Sequence, residues 1–200
     1  PADYSEILSA FGVEPRGVPE PVGGGHINQG WRIVAGAPSR PTRYLLQRLN
    51  PLVFPDAPAV LENCAHVSAH LLHAGRAAGW SEAHWRVAEL QPTVEGGLGV
   101  QDRSGAWWRL FTWLEGTRAT QQATSTAEAR AVGAAFGRFH DLMASYDGPR
   151  LKSPLPGFHD TPARLRHFEA TLPDADPDRG RLAPGEIAFA LGHQPWASAL

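Results

Sequence analysis

The sequence contains a single cysteine, Cys64, so no internal disulfide can form and a reducing compartment is the simpler setting. Cys64 itself reads as core filler rather than a reactive thiol. No apolar run approaches the roughly 18 residues that a membrane-spanning helix needs, and Pro1 to Glu6 carry no basic stretch followed by an apolar one. Excess charge is also missing. The 18 Lys and Arg against 20 Asp and Glu leave a net charge of -2 at pH 7, which excludes a polybasic nucleic-acid binder. The expectation is a soluble, cytoplasmic protein with neither a membrane nor a nucleic acid as partner. What is present is a 200-residue chain that is 42% hydrophobic. It is long enough to bury roughly 70% of its unfolded surface without metal or disulfide staples, and too apolar for general disorder.

The hydrophobic pattern changes along the chain. Tyr4, Ile7, Leu8 and Phe11 share one helical stripe, with Gly12 as a stop. Val18 to Val22, the run Gly23-Gly24-Gly25-His26-Ile27-Asn28-Gln29-Gly30, and Trp31 to Val34 read as strand, glycine loop, strand. Ala35 to Pro41 is turn material, and Arg43 to Leu49 is a third strand. From Pro58, apolar residues recur at helical spacing to a stop near Gly75, with Asp56 near the start. Arg86 to Leu90 and Gly97 to Gln101 are further strand candidates. The turn Asp102-Arg103-Ser104-Gly105 then makes a hairpin with Ala106 to Leu114. This is an antiparallel sheet with one helix inserted. After Thr117 the signals are helical: a capping-box spacing at Ser125 and Glu128 with a stripe through Val132, Phe136 and Leu142, an N-cap and first-turn proline at Thr161-Pro162, and a last helix from Pro184.

Gly23, Gly24 and Gly25 let backbone amides approach a ligand over the sheet, because no side chain stands in the way. A phosphate cradle and an ordinary flexible hairpin are both open. Neither a Walker loop nor a Rossmann turn fits, since no Lys-Ser or Lys-Thr pair and no helix follows. Order adds information: a glycine loop between two strands, a third strand with a cation, then a helix with Glu62 is how a kinase sets positive charge on nucleotide phosphates and braces it with a carboxylate. Arg48 is the cation candidate and Gln47 its neighbour on the opposite face. Strand alternation lets one of them face a cleft, and charge favours Arg48.

The phrases Gly25-His26-Ile27-Asn28, Tyr44-Leu45-Leu46-Gln47-Arg48-Leu49-Asn50, Val53-Phe54-Pro55, Leu61-Glu62-Asn63 and Pro156-Gly157-Phe158-His159-Asp160-Thr161-Pro162 resemble the aminoglycoside phosphotransferase superfamily. Within it they are most similar to N-acetylhexosamine 1-kinases. The resemblance implies an α+β, protein-kinase-like fold: residues 1–115 as an antiparallel-sheet N-lobe with one helix, and 116–200 as the start of a helical C-lobe. It implies transfer of the ATP γ-phosphate, with Mg2+, to the anomeric hydroxyl of an N-acetylated hexose. Carried across, the glycine loop is Gly23 to Asn28, the phosphate-anchoring strand holds Gln47 and Arg48, and Glu62 is the helix partner. The segment Thr112-Trp113-Leu114 resembles the hinge that pairs with adenine. His26, His159 and Asp160 are substrate candidates by position.

The sequence departs from that family in its second half. The catalytic loop, histidine, one residue, aspartate, and an asparagine five residues later, is absent, as is a later metal-binding aspartate. His140-Asp141 and His159-Asp160 lack the spacing. The resemblance would put that loop just beyond Leu200, so the expectation is a C-terminally truncated kinase, with no catalytic or metal-binding residue in this chain, unable to transfer phosphate alone. Two other classes compete. His66, His70 and His73 at i, i+4 and i+7 suggest a metal-dependent phosphohydrolase. Trp107, Trp108 and Trp113 suggest a non-catalytic face for a sugar or protein.

Overall fold

The computed structural model describes residues 4–23, 25–81, 85–117, 120 and 122–197. The chain divides into two compact units, Pro1–Pro154 and Leu155–Leu200. The first is built on an antiparallel sheet of β1 (Glu20–Pro21), β2 (Gln29–Ala37), β3 (Arg40–Arg48), β4 (Leu90–Gln91), β5 (Val100–Gln101) and β6 (Trp107–Thr112). The spatial order is β1-β2-β3-β6-β4, with β5 beside β6. The expected α+β class with an antiparallel sheet holds, and the hairpin through residues 102–105 pairs Gln101 with Trp107.

Several strand boundaries differ from the sequence reading, the strand expected over Gly97 to Gln101 shortening to Val100–Gln101 among them. Ala35 to Pro41 was expected to turn, yet β2 and β3 stay paired out to Ala37 and Arg40. Gly36, at φ +79°, takes a left-handed backbone that other residues resist, so the ladder continues past it. Conversely, the strand expected over Arg86 to Leu90 shrinks to Leu90–Gln91. There, one backbone bond remains, Thr112 N–H donating to Glu89 O at 2.9 Å, and a side chain takes the other place: Glu89 N–H donates to Thr112 Oγ1 at 2.9 Å.

Strand alternation sorts the core onto two faces. Ile33, Leu46, Trp108 and Leu110 form one, and α1 (Tyr4–Ala10) lays Ile7 and Leu8 against it. Leu49 and Trp107 lie on the other, packed against Ala57 and Leu61 of α2 (Ala57–Ala77). The adjacent Trp107 and Trp108 therefore serve opposite layers, and Trp108 is fully buried. Asp56 caps α2, its Oδ1 accepting the Ala59 N–H at 3.1 Å. Gly75 does not end this helix. It makes room for Trp85, whose Cδ1 would lie 2.9 Å from a Cβ at that position.

In α3 (Thr126–Met143), Ser125 Oγ accepts the Glu128 N–H at 3.2 Å, as the capping box predicts. The return arm differs: Glu128 Oε2 accepts from Thr124 N–H at 2.8 Å, one residue early. Of the expected apolar stripe, Leu142 is buried while Val132 and Phe136 are exposed. The second unit holds α4 (Thr161–Thr171), α5 (Pro177–Leu182) and α6 (Pro184–Gly192). The α4 cap is Asp160 rather than Thr161, its Oδ1 accepting the Ala163 N–H at 2.8 Å. Asp precedes Thr in cap preference, which moves the helix start back by one. Among the described residues no helix is long and apolar enough to cross a membrane.

Candidate functional site

The connection between β1 and β2 is closed by the Val22 N–H donating to Gly30 O at 2.8 Å. Gly25 is needed for its shape, since a Cβ there would sit 3.0 Å from the Asn28 carbonyl oxygen. Gly23 has open space around it, and Gly24 lies outside the described residues. The exit of the loop is tied down: Asn28 Oδ1 accepts the Asn50 N–H at 3.0 Å, just past the end of β3. Gly25, His26, Asn28, Arg48 and Asn50 line a cleft of about 310 Å³. The structure thus brings the glycine loop, His26 and Arg48 together.

It separates Arg48 from the other expected parts. In register, Gln29, Arg48 and Trp108 form one cross-strand row, and Gly30, Gln47 and Arg109 the next. Directly opposed residues share a face. The Arg48 row faces the α1 side, where Arg48 also lines a cavity of about 800 Å³ with Tyr4, Trp31, Asp102 and Trp108. The Gln47 row faces α2. The charge argument for Arg48 as the partner of the helix carboxylate is therefore not met, because alternation assigns the α2 face to Gln47. Glu62 reaches neither residue. Its Oε2 lies 2.5 Å from Lys152 Nζ, and Asn63 beside it accepts the Lys152 N–H at 3.0 Å while donating to the Lys152 carbonyl at 2.8 Å. The hydrogen bond that Lys152 donates to Glu62 raises the Lys152 pKa above its ordinary value.

Arg48 instead lies 4.0 Å from Asp102. Asp102 accepts from Ser104 N–H and Oγ–H, from Ala106 N–H, and from Trp108 Nε1 at 2.8 Å. Burial acts to raise its pKa, but these hydrogen bonds to the ionised form outweigh it and bring it down to about 2.

The segment after β6 is pinned and partly open. Trp113 N–H donates to Arg43 O at 3.2 Å, and Leu114 O accepts from Thr117 Oγ1 at 2.8 Å. Glu115 O accepts from Arg86 at 2.6 Å. Thr112 is committed to Glu89 through both its N–H and its hydroxyl. The Trp113 carbonyl and the Leu114 N–H have no partner among the described residues. They form a donor and acceptor pair at the strand end, the pattern a flat heterocycle with one acceptor and one donor edge requires.

In the second unit, His159 packs edge-on against Phe158 at 4.8 Å between ring centroids, and Asp160 uses one carboxylate oxygen as the α4 cap. The histidines of α2 do not assemble a metal site. His70 Nε2 is 2.8 Å from Leu142 O and its ring lies against Tyr146. Among the described residues no group of three His, Cys, Asp or Glu side chains comes together to hold a metal. The residues described here thus do not fit a magnesium site by themselves.

Sequence reasoning missed Lys152, Asn50 and Arg109. Arg109 left a signal: one charge inside the aromatic strand Trp107-Trp108-Arg109-Leu110-Phe111, where a half-buried cation needs a reason.

A model of the family described as phosphotransferase enzymes, APH, matches residues 19–199. Among solved structures, a spectinomycin phosphotransferase, APH(9)-Ia, in complex with ADP and spectinomycin aligns over 98% of this chain and 52% of its own, with 13% identity and a TM-score of 0.45. The chain spans about half the length of that protein.

Proposed function

The chain belongs to the phosphotransferase enzyme family, and on that premise we propose that it forms the nucleotide-binding part of an ATP-dependent kinase for a small hydroxylated molecule. The acceptor in this reading is an N-acetylhexosamine, phosphorylated at the anomeric hydroxyl. One observation carries the nucleotide-binding part of this reading, the acceptor resting on the sequence resemblance: the glycine-rich β1–β2 connection is clamped by Asn28 to the end of β3 and has a cleft beneath it. In phosphoryl transfer the protein chiefly positions groups and stabilises charge, and bare amides over a sheet suit that task.

Adenine then pairs with the Trp113 carbonyl and the Leu114 N–H, with Thr112 held back by Glu89. The phosphates run toward Gly23 and Gly25, past Gln47 on the α2 face, with Arg48 at the outer rim of the loop cleft. His26, exposed in the loop, is the acceptor contact on this unit, and His159 and Asp160 are the candidates on the second. Magnesium would accompany the nucleotide as part of the substrate complex. The His-x-Asp spacing of the family's catalytic loop does not occur in these 200 residues.

The test is calorimetric titration of the purified protein with ATP, ADP and GTP, followed by ADP release in the presence of N-acetylhexosamines, simple hexoses and aminocyclitols. Stoichiometric ATP binding, with ADP release on an N-acetylhexosamine, supports the reading. Absence of nucleotide binding sinks it. Turnover on another alcohol keeps the phosphotransferase and discards the hexose.

A further inference from the structure

We propose that Arg109 of β6, rather than any residue of β3, supplies the positive charge that meets the nucleotide phosphates. This rests on the nucleotide-binding reading above and deepens it. The row Gly30, Gln47, Arg109 crosses β2, β3 and β6 on the face packed by α2. A kinase places its phosphate-binding cation on the third strand of this face. Here that position is a neutral amide, and the cation stands one strand further in, its Nε donating to Gln47 Oε1 at 3.1 Å.

Charge bookkeeping on this face singles out Arg109. Arg32 is neutralised by Glu20 at 2.5 Å and Arg43 by Glu115 at 2.7 Å. Among the described residues no carboxylate pairs with Arg109. Its contacts are Gln47 Oε1, Cys64 Sγ at 3.1 Å and the Phe111 ring, 4.9 Å from ring centroid to guanidinium carbon. Gln47 and Phe111 orient the guanidinium without cancelling its charge, and Cys64 offsets that charge only in part, since burial still holds the Arg109 pKa below its ordinary value. A half-buried arginine without a counter-ion loses hydration and gains little in return, so an anionic ligand is what completes it. Burial accordingly pushes its pKa down, offset in part by Cys64.

The guanidinium has a donor to spare. It has five N–H donors, and its Nη2 has no partner among the described residues. Nη2 is nonetheless not sealed off, since the unpartnered polar side-chain atom fully buried among those residues is Trp85 Nε1. Gly30, at the loop end of the same row, adds no side chain between the glycine connection and Gln47. Gln47 thus acts as a positioning residue that fixes the fork, and Arg109 as the phosphate-binding one.

The experiment compares ATP and adenosine binding to purified wild type, R109Q and R48Q by calorimetry. The proposal expects R109Q to lose about tenfold or more in ATP affinity, the scale of a charge-assisted contact. Adenosine affinity should be unchanged in R109Q, and R48Q, at the rim of the cleft, should lose less ATP affinity than R109Q. Wild-type ATP affinity in R109Q, or equal loss of ATP and adenosine, overturns the assignment to Arg109. Wild-type protein that binds neither ligand overturns the nucleotide reading itself and this one with it. Should R109Q not fold, phenylglyoxal labelling of wild type, read by peptide mass spectrometry, gives the same answer. Protection of Arg109 by ATP and not by adenosine supports the proposal, and labelling unaffected by saturating ATP refutes it.

Discussion

Asn28 at the end of the glycine loop accepts the backbone N–H of Asn50 at 3.0 Å, joining two segments 22 residues apart. Asn50 in turn accepts the Leu52 N–H through its own side chain at 3.0 Å. The loop is therefore hung from the end of β3 by a relay of two amides, and its freedom to move over the cleft is set there rather than by the glycines alone.

Asn28→Ala should leave the Asn50 N–H without its partner and loosen the loop exit. A loss of about 1 kcal/mol in stability is the expected scale for one part-buried hydrogen bond. Nucleotide affinity should fall about threefold to tenfold as the loop loses its preorganised position. Denaturant melts and ATP titration of the same variant read both, and an unchanged affinity would remove Asn28 from the site.

Asn63 holds the Lys152 backbone through two hydrogen bonds, whereas the Lys152 side chain meets Glu62 in an exposed ion pair. Asn63→Ala should thus cost about 1–2 kcal/mol, while Lys152→Met should leave the melting midpoint in place at moderate salt. A larger effect from Lys152→Met than from Asn63→Ala would contradict this ordering.

Asp102 titrates from 3.8 in the unfolded chain to about 2 in the fold. The folded value is depressed, so its stabilising contribution is fully present above pH 3.8 and is lost as pH falls toward 2. After allowance for solvent screening the contribution is on the order of 1 kcal/mol. Asp102→Asn should therefore show a smaller loss of stability between pH 4 and pH 2 than wild type, measured by urea unfolding. Parallel curves would mean that other carboxylates carry the acid sensitivity.

Gly75→Ala tests two opposed effects at one site. Alanine favours a helix interior by about 1 kcal/mol over glycine, but its Cβ would stand 2.9 Å from Trp85 Cδ1, and overpacking of that kind costs about 1–3 kcal/mol. The expected net result is destabilisation, with a lower melting temperature. A stabilised variant would show that Trp85 gives way at no cost.

Much of the frame was legible in the chain because it depends on local chemistry. Asp56 and Ser125 announce helix starts by the reach of a short oxygen to a backbone N–H. Residues 102–105 announce a hairpin by turn composition, and Trp107 next to Trp108 announces two layers by the period of a strand. Together with the family phrases, these were enough for an antiparallel sheet with an inserted helix and a glycine loop in the first connection. The Thr161 cap failed by one residue because Asp160 offers the better acceptor, a competition that spacing alone does not decide. Gly75 marked the end of the helix to within two residues, but its contact with a tryptophan ten residues later left no local signal.

The sequence by itself determined which residues could carry charge, bend or cap, since those properties travel with each side chain and its near neighbours. Pairing was decided in three dimensions. Register put Gln47 and Arg109 on the α2 face and turned Arg48 to the other, and a connector 90 residues away brought Lys152 to Glu62. A strand shifted by one residue exchanges its faces, so the cation that meets a ligand is fixed by how strands align across the sheet.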